Sequence, residues 1–94
     1  MGTRPAIITA VPRNARYPMA FLVPVTSQRG AWQERNPQLY PVLSAGVGNL
    51  TYESVVLLDQ LRGTDVTRLQ SYIGRLSEDE YAPIRAGLEA MFDL

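Results

Sequence analysis

Up to about residue 80, the apolar residues of this chain come in runs no longer than a β-strand, separated by proline- and glycine-bearing loops. Pro5–Val11, Met19–Ser27 and Glu53–Leu61, with its Val55-Val56-Leu57-Leu58 centre, are rich in β-branched residues and read as buried strands. Gln38–Leu43 and Ser71–Arg75 read as shorter ones. Pro12–Pro18 and Gln28–Pro37 read as loops, and Ser44–Leu50 as a turn with two glycines. Pro5 suits a first strand position, whereas Pro24 inside the second run requires an edge strand or a bulge. Asp65–Ser71 fits one helical turn capped by Asp65.

The pattern changes at Ser77-Glu78-Asp79-Glu80, which has the residues of a capping box with carboxylates in the first turn. Tyr81, Ile84, Leu88 and Met91 follow at spacings of three, four and three, one face of a helix. Pro83 either bends the first turn or moves the start to about Tyr81. The expected architecture is mainly β: a small barrel closed by a C-terminal helix, in a single domain over residues 1–94.

Composition narrows the chemistry. There is no Cys and no His, so thiolate chemistry, disulfides and the usual neutral-pH base are excluded. The commonest transition-metal ligand is missing as well, and no metal or other cofactor is expected. No run is long enough to span a bilayer, and Met1-Gly2-Thr3-Arg4 leads into a strand-like segment without a signal peptide. Ala6 breaks the myristoylation pattern. A soluble cytoplasmic protein is expected by elimination.

The charge is zero overall but divided. Residues 1–50 carry five Arg against Glu34 alone (+4), and residues 51–94 carry four Arg against eight carboxylates (−4). All the basic residues are Arg, which a GC-rich coding sequence gives as readily as a phosphate-binding role does. Such a split points to a polyanion on one face.

Two strand ends stand out. The first run opens with Arg4, and the second closes on Thr26, Ser27, Gln28 and Arg29. If the runs are neighbours, these ends form a hydroxyl-lined anion pocket suited to a phosphodiester. Trp32, between Arg29 and Arg35, is a candidate stacking platform for an unpaired base, though a barrel lid or a dimer contact fits it as well.

Arg4-Pro5-Ala6-Ile7-Ile8, Val23-Pro24-Val25-Thr26-Ser27, Tyr40-Pro41-Val42, Ser54 through Arg62, Arg68-Leu69 and Ile73 through Ser77 occur in an order and spacing that resembles the MazF/PemK toxins of type II toxin–antitoxin modules. The resemblance implies an SH3-like barrel, a homodimer and a metal-independent, sequence-specific endoribonuclease held in check by an antitoxin. It places the catalytic Arg on Arg4, the catalytic Thr on Thr26 with Ser27 beside it, and the Asp-Gln pair on Asp59 and Gln60. Some members carry an Arg where this chain has Leu57. The family pattern also starts with a Gly-Asp-Val-Trp type of strand and a Gly-rich loop. Here Met1-Gly2-Thr3 stands where that loop ends, so the chain reads as a short member.

Metal-free cleavage can use the substrate's own 2′-hydroxyl, with Arg4 answering the charge on the phosphate and Thr26 and Ser27 donating hydrogen bonds. Asp59 is the only carboxylate beside these motifs and is the candidate base. Gln28, Arg29, Trp32, Arg35, Gln60 and Arg62 are the expected RNA contacts, and the Arg-rich half is expected to receive an acidic antitoxin tail as well. Two rival readings keep the fold: a gyrase poison of the CcdB kind and a non-catalytic binder. The first is disfavoured, because the chain ends in Met91-Phe92-Asp93-Leu94 and lacks a Trp-Gly-Ile-like tail.

Overall fold

A computed structural model describes residues 4–69 and 71–93. The Met1–Thr3 lead-in lies outside the described residues, as do Gln70 within the expected Asp65–Ser71 turn and Leu94. The elements are β1 (Ala6–Ala10), β2 (Met19–Thr26), α1 (Ala31–Arg35), β3 (Val42–Leu43), β4 (Ser54–Val56), β5 (Arg62–Asp65) and α2 (Glu78–Met91). Three 3-10 turns, Val47–Asn49, Leu58–Gln60 and Val66–Arg68, connect them.

The sheet is antiparallel and is organised around β2. β1 pairs along one side of it; on the other side β4 takes Val25 and Thr26 while β5 takes Met19 to Leu22. β3 continues from β4. Because β2 is shared between two partners on one side, the sheet curls into a half-barrel, and α2 packs against the Leu58–Gln60 turn. An extra residue at Thr9 shifts the β1 register, a bulge whose hydroxyl donates to the Phe21 carbonyl at 3.2 Å.

β2 is central, so Pro24 is not on an edge strand. Its carbonyl accepts from Leu57 N at 2.9 Å, so its ring nitrogen faces the same side. On that side β4 pairing covers 25–26 and β5 pairing covers 19–22. The missing N–H therefore falls in the gap between two partners and costs no ladder bond.

Val23, Val55, Val56, Leu58 and Ile84 are fully shielded, and Val25, Leu43 and Leu50 extend the same core. Burying each side chain of this kind is worth about 1.5–3 kcal/mol. Tyr81, Leu88 and Met91 pack on this core beside the buried Ile84, the face expected of α2. Ser77 accepts from Glu80 N at 3.1 Å, and the Glu80 carboxylate accepts from Ser77 N at 2.8 Å. The capping box starts the helix at Glu78, so the later start at Tyr81 is not taken. Gly87 lets α2 approach closely: a Cβ there would sit 2.5 Å from the Gln38 carbonyl oxygen and against the Leu58 side chain.

Three other expectations are corrected. Gln28–Pro37 contains the one-turn α1; Gln33, buried among exposed neighbours, anchors it by donating to the Tyr40 carbonyl at 3.2 Å. The Glu53–Leu61 strand stops at Val56, and its continuation bends into a 3-10 turn. Ser71–Arg75 joins no ladder among the described residues, while Arg62–Asp65, not expected as a strand, does. The Asp65 cap is present: its carboxylate accepts from Thr67 N at 2.9 Å, which holds its pKa below the ordinary value.

Candidate active site

The β1–β2 register determines where the two strand ends meet. Ala6 faces Pro24, and Val25 N donates to the Pro5 carbonyl at 3.2 Å. Continued by two residues, the same register sets Arg4 opposite Thr26, in a position without ladder bonds where side chains stand closest. Both line a cleft of about 560 Å³, together with Ser27 and Gln28. Its far wall is the Asn49–Ser54 loop, with Ser71 and Ile73 closing one side.

The cleft's polar lining is one guanidinium with hydroxyls and amides, and no carboxylate is among its described lining residues. The ion pair found among the described residues is Arg29–Glu53, so Arg4 is left exposed and unpaired within that set. Thr26 Oγ1 accepts the Gln28 N–H at 3.2 Å, a turn that ends the strand. With that lone pair engaged, the Thr26 O–H is free to donate into the cleft. A guanidinium opposite a hydroxyl donor is a phosphate-binding arrangement.

The remaining expected site residues lie elsewhere. Asp59 does not line the cleft; it accepts the Tyr40 hydroxyl at 2.7 Å, and this bond together with the carboxylate charge raises the Tyr40 pKa. Trp32 sets its ring edge-on to Tyr40, 4.8 Å between centroids, and packs over Gly30. Arg29 donates to Glu53 Oε1 at 2.8 Å and to Gln33 Oε1 at 3.1 Å. Arg35, Gln60 and Arg62 are exposed and do not line the cleft. The structure thus brings Arg4, Thr26, Ser27 and Gln28 together and gathers Trp32, Arg29 and Asp59 into a separate network around Tyr40 and Gln33.

Sequence reading missed Asn49, Thr51, Tyr52 and Ser71 as wall residues. Asn49 offered one signal: an Asn after Gly-Val-Gly is a candidate for positive φ, and its φ is +64°. Among the described residues, no three His, Cys, Asp or Glu side chains gather to hold a metal ion, and no helix is long and apolar enough to cross a membrane.

A family model for PemK-like, MazF-like toxins of type II toxin–antitoxin systems matches residues 1–92, and the chain belongs to that family. The curled antiparallel half-barrel with its C-terminal helix agrees with the fold of these toxins. Membership makes the protein a toxin of a toxin–antitoxin module and implies an antitoxin as its partner. No curated protein matches the chain.

Proposed function

We propose that the protein is an endoribonuclease that cleaves single-stranded RNA at the Arg4–Thr26 cleft without a metal, and that its antitoxin suppresses this activity. The observation that supports the reading best is the cleft itself: an exposed guanidinium, without an ion-pair partner among the described residues, opposite a hydroxyl donor, with Ser27 and Gln28 beside them. The substrate's 2′-oxygen attacks the adjacent phosphorus and the bond to the 5′-oxygen breaks. The products are a 2′,3′-cyclic phosphate and a 5′-hydroxyl. Arg4 binds the non-bridging oxygens, on which charge accumulates, and Thr26 donates to the same phosphate or to the departing oxygen. A fixed donor of this kind is worth about 3–4 kcal/mol of barrier.

None of the lining side chains is a base at neutral pH. The 2′-hydroxyl proton therefore passes to water or hydroxide, and the departing 5′-oxygen takes one from solvent. Asp59 has no part in this scheme, since it is bound to Tyr40 away from the cleft. The family's homodimer fits the exposed apolar groups Ile8, Leu69, Tyr72 and Ile73, which a second copy could cover.

The test is incubation of the purified chain with single-stranded RNA in excess EDTA, followed by end-group analysis. Cleavage to cyclic or 3′-phosphate and 5′-hydroxyl ends is expected. Cleavage that appears only with added Mg²⁺, or that leaves 5′-phosphate ends, would refute the scheme.

A further inference from the structure

The far wall of the cleft is a loop tied at both ends. At one end, the Asn49 amide nitrogen donates to the Ile73 carbonyl at 2.7 Å, from a residue held at φ +64°. At the other, Glu53 takes the Arg29 guanidinium at 2.8 Å, and Arg29 is fixed in turn by Gln33. Arg29 follows Gln28 and Glu53 follows Tyr52, so this ion pair ties the chain beside one cleft-lining residue to the chain beside the other. Between the two ties lies Tyr52, 68% exposed although it lines the cleft. Its carbonyl accepts from Ser54 Oγ at 2.8 Å, which fixes the backbone from which the ring projects. No described side chain hydrogen-bonds the Tyr52 hydroxyl or stacks on its ring. By contrast, Trp32, the platform expected from sequence, already has Tyr40 and Gly30 against it.

A rigid loop that holds an uncovered aromatic ring beside a phosphate-binding pair is the arrangement that receives a splayed base of single-stranded RNA. We propose that Tyr52 is the residue on which a base flanking the scissile phosphate stacks, and that Arg29 and Glu53 are positioning residues that hold its loop at the correct distance from Thr26. This rests on the endoribonuclease reading. It removes Arg29 from the set of direct RNA contacts and puts Tyr52 in the place expected of Trp32.

The test uses a randomised single-stranded RNA pool with the full chain and with Tyr52→Ala, Tyr52→Phe, Glu53→Arg and the exchanged pair Arg29→Glu/Glu53→Arg. Two quantities are read: binding of the pool, in a Thr26→Ala background so that cleavage does not interfere, and base preference at each position flanking the cut. Tyr52→Ala is expected to weaken binding about tenfold, the loss of one stacked base, and to flatten the preference at a single flanking position. Tyr52→Phe should keep both, because the ring does the stacking. Glu53→Arg should mimic Tyr52→Ala at that position, and the exchanged pair should restore the preference. Unchanged binding and preference in Tyr52→Ala would overturn the proposal, as would a Tyr52→Phe variant no better than Tyr52→Ala. If the parent chain cleaves nothing but Tyr52→Ala still binds the pool more weakly, the nuclease reading fails and the base-stacking site stands. If the parent cleaves and Tyr52→Ala retains every preference, the nuclease reading stands and the base-stacking site fails.

Discussion

Two polar groups of similar composition lie in this protein, one at the end of β2 and one around α1, and they differ in what their side chains are bonded to. Around α1, the Arg29 guanidinium is spent on Glu53 and Gln33, Gln33 on the Tyr40 carbonyl, and the Tyr40 hydroxyl on Asp59. At the end of β2, Arg4 has no ion-pair partner among the described residues, and Thr26 accepts one backbone N–H while keeping its own proton available. Residues satisfied by one another hold a structure together; residues left unsatisfied around a cleft are available to a ligand. On this criterion the proposal assigns cleavage to Arg4 and Thr26 and gives Asp59, Trp32 and Arg29 a structural part.

The sharpest break of this contrast would come from exchanging the roles. Arg4→Ala or Thr26→Ala should lower the cleavage rate about 10²–10³-fold, the usual loss for one transition-state donor, with circular dichroism and melting unchanged. Asp59→Asn should leave cleavage within a fewfold of the parent. A loss in Asp59→Asn comparable to that of Thr26→Ala, in a variant that melts normally, would erase the distinction.

A pH profile tests the same contrast without substitution. With no side-chain base in the cleft, kcat/KM should rise about tenfold per pH unit through neutrality, as the 2′-hydroxyl proton leaves to hydroxide. Catalysis by an already ionised side-chain base would instead leave the rate level through neutrality. A flat profile between pH 6 and 8 would return Asp59 to the mechanism.

Stability should separate the regions more mildly. Gly87→Ala forces a methyl against Leu58, the neighbour of Asp59, and against the Gln38 carbonyl, neither of which lines the cleft. Overpacking of this kind costs about 1–3 kcal/mol. A lower melting temperature with unchanged activity per folded molecule is expected; loss of activity below the melting transition would mean that core and cleft are coupled.

The smallest effect is spectroscopic. Asp59 raises the Tyr40 pKa from its ordinary value by accepting the phenol hydrogen bond and by its charge. Asp59→Asn should move one tyrosine titration back toward that value in absorbance near 295 nm. The sign carries to stability: a raised pKa contributes fully below the ordinary tyrosine value and fades as pH rises through the raised one, so the parent should lose this contribution only on the alkaline side. Indistinguishable titrations would remove Asp59 from the Tyr40 network.

Much of this could be read in the sequence wherever periodicity or a cap carried it. β2 and α2 announced themselves by an unbroken apolar run and by a capping box with an apolar face, and Arg4 and Thr26 by their places at strand ends. β5 did not, because Arg62-Gly63-Thr64-Asp65 has no apolar alternation and owes its pairing to the free side of β2. Pro24 suggested an edge, because the gap between β4 and β5 is a tertiary fact. The expected site residues that lie outside the cleft have one thing in common. Asp59, Trp32 and Arg29 have the right chemical types at the right distance along the chain, but their partners Tyr40, Gln33 and Glu53 are brought in by folding. The charge split likewise left distances unread: Arg13 and Arg16 sit in the loop at the far end of the β1–β2 hairpin, about 20 Å from Thr26 at a strand rise of about 3.3 Å per residue.

The central claim is that Arg4 and Thr26 act together on one phosphate, and a double-mutant cycle tests it most directly. Cleavage rates of the parent, Arg4→Ala, Thr26→Ala and the double variant are compared at saturating RNA and fixed pH. If both groups serve one transition state, the second substitution should cost far less than the first, and the double variant should be little slower than the slower single one. Losses that multiply in full, giving a double variant slower by the product of the two single effects, would show that Arg4 and Thr26 act independently and would contradict the account.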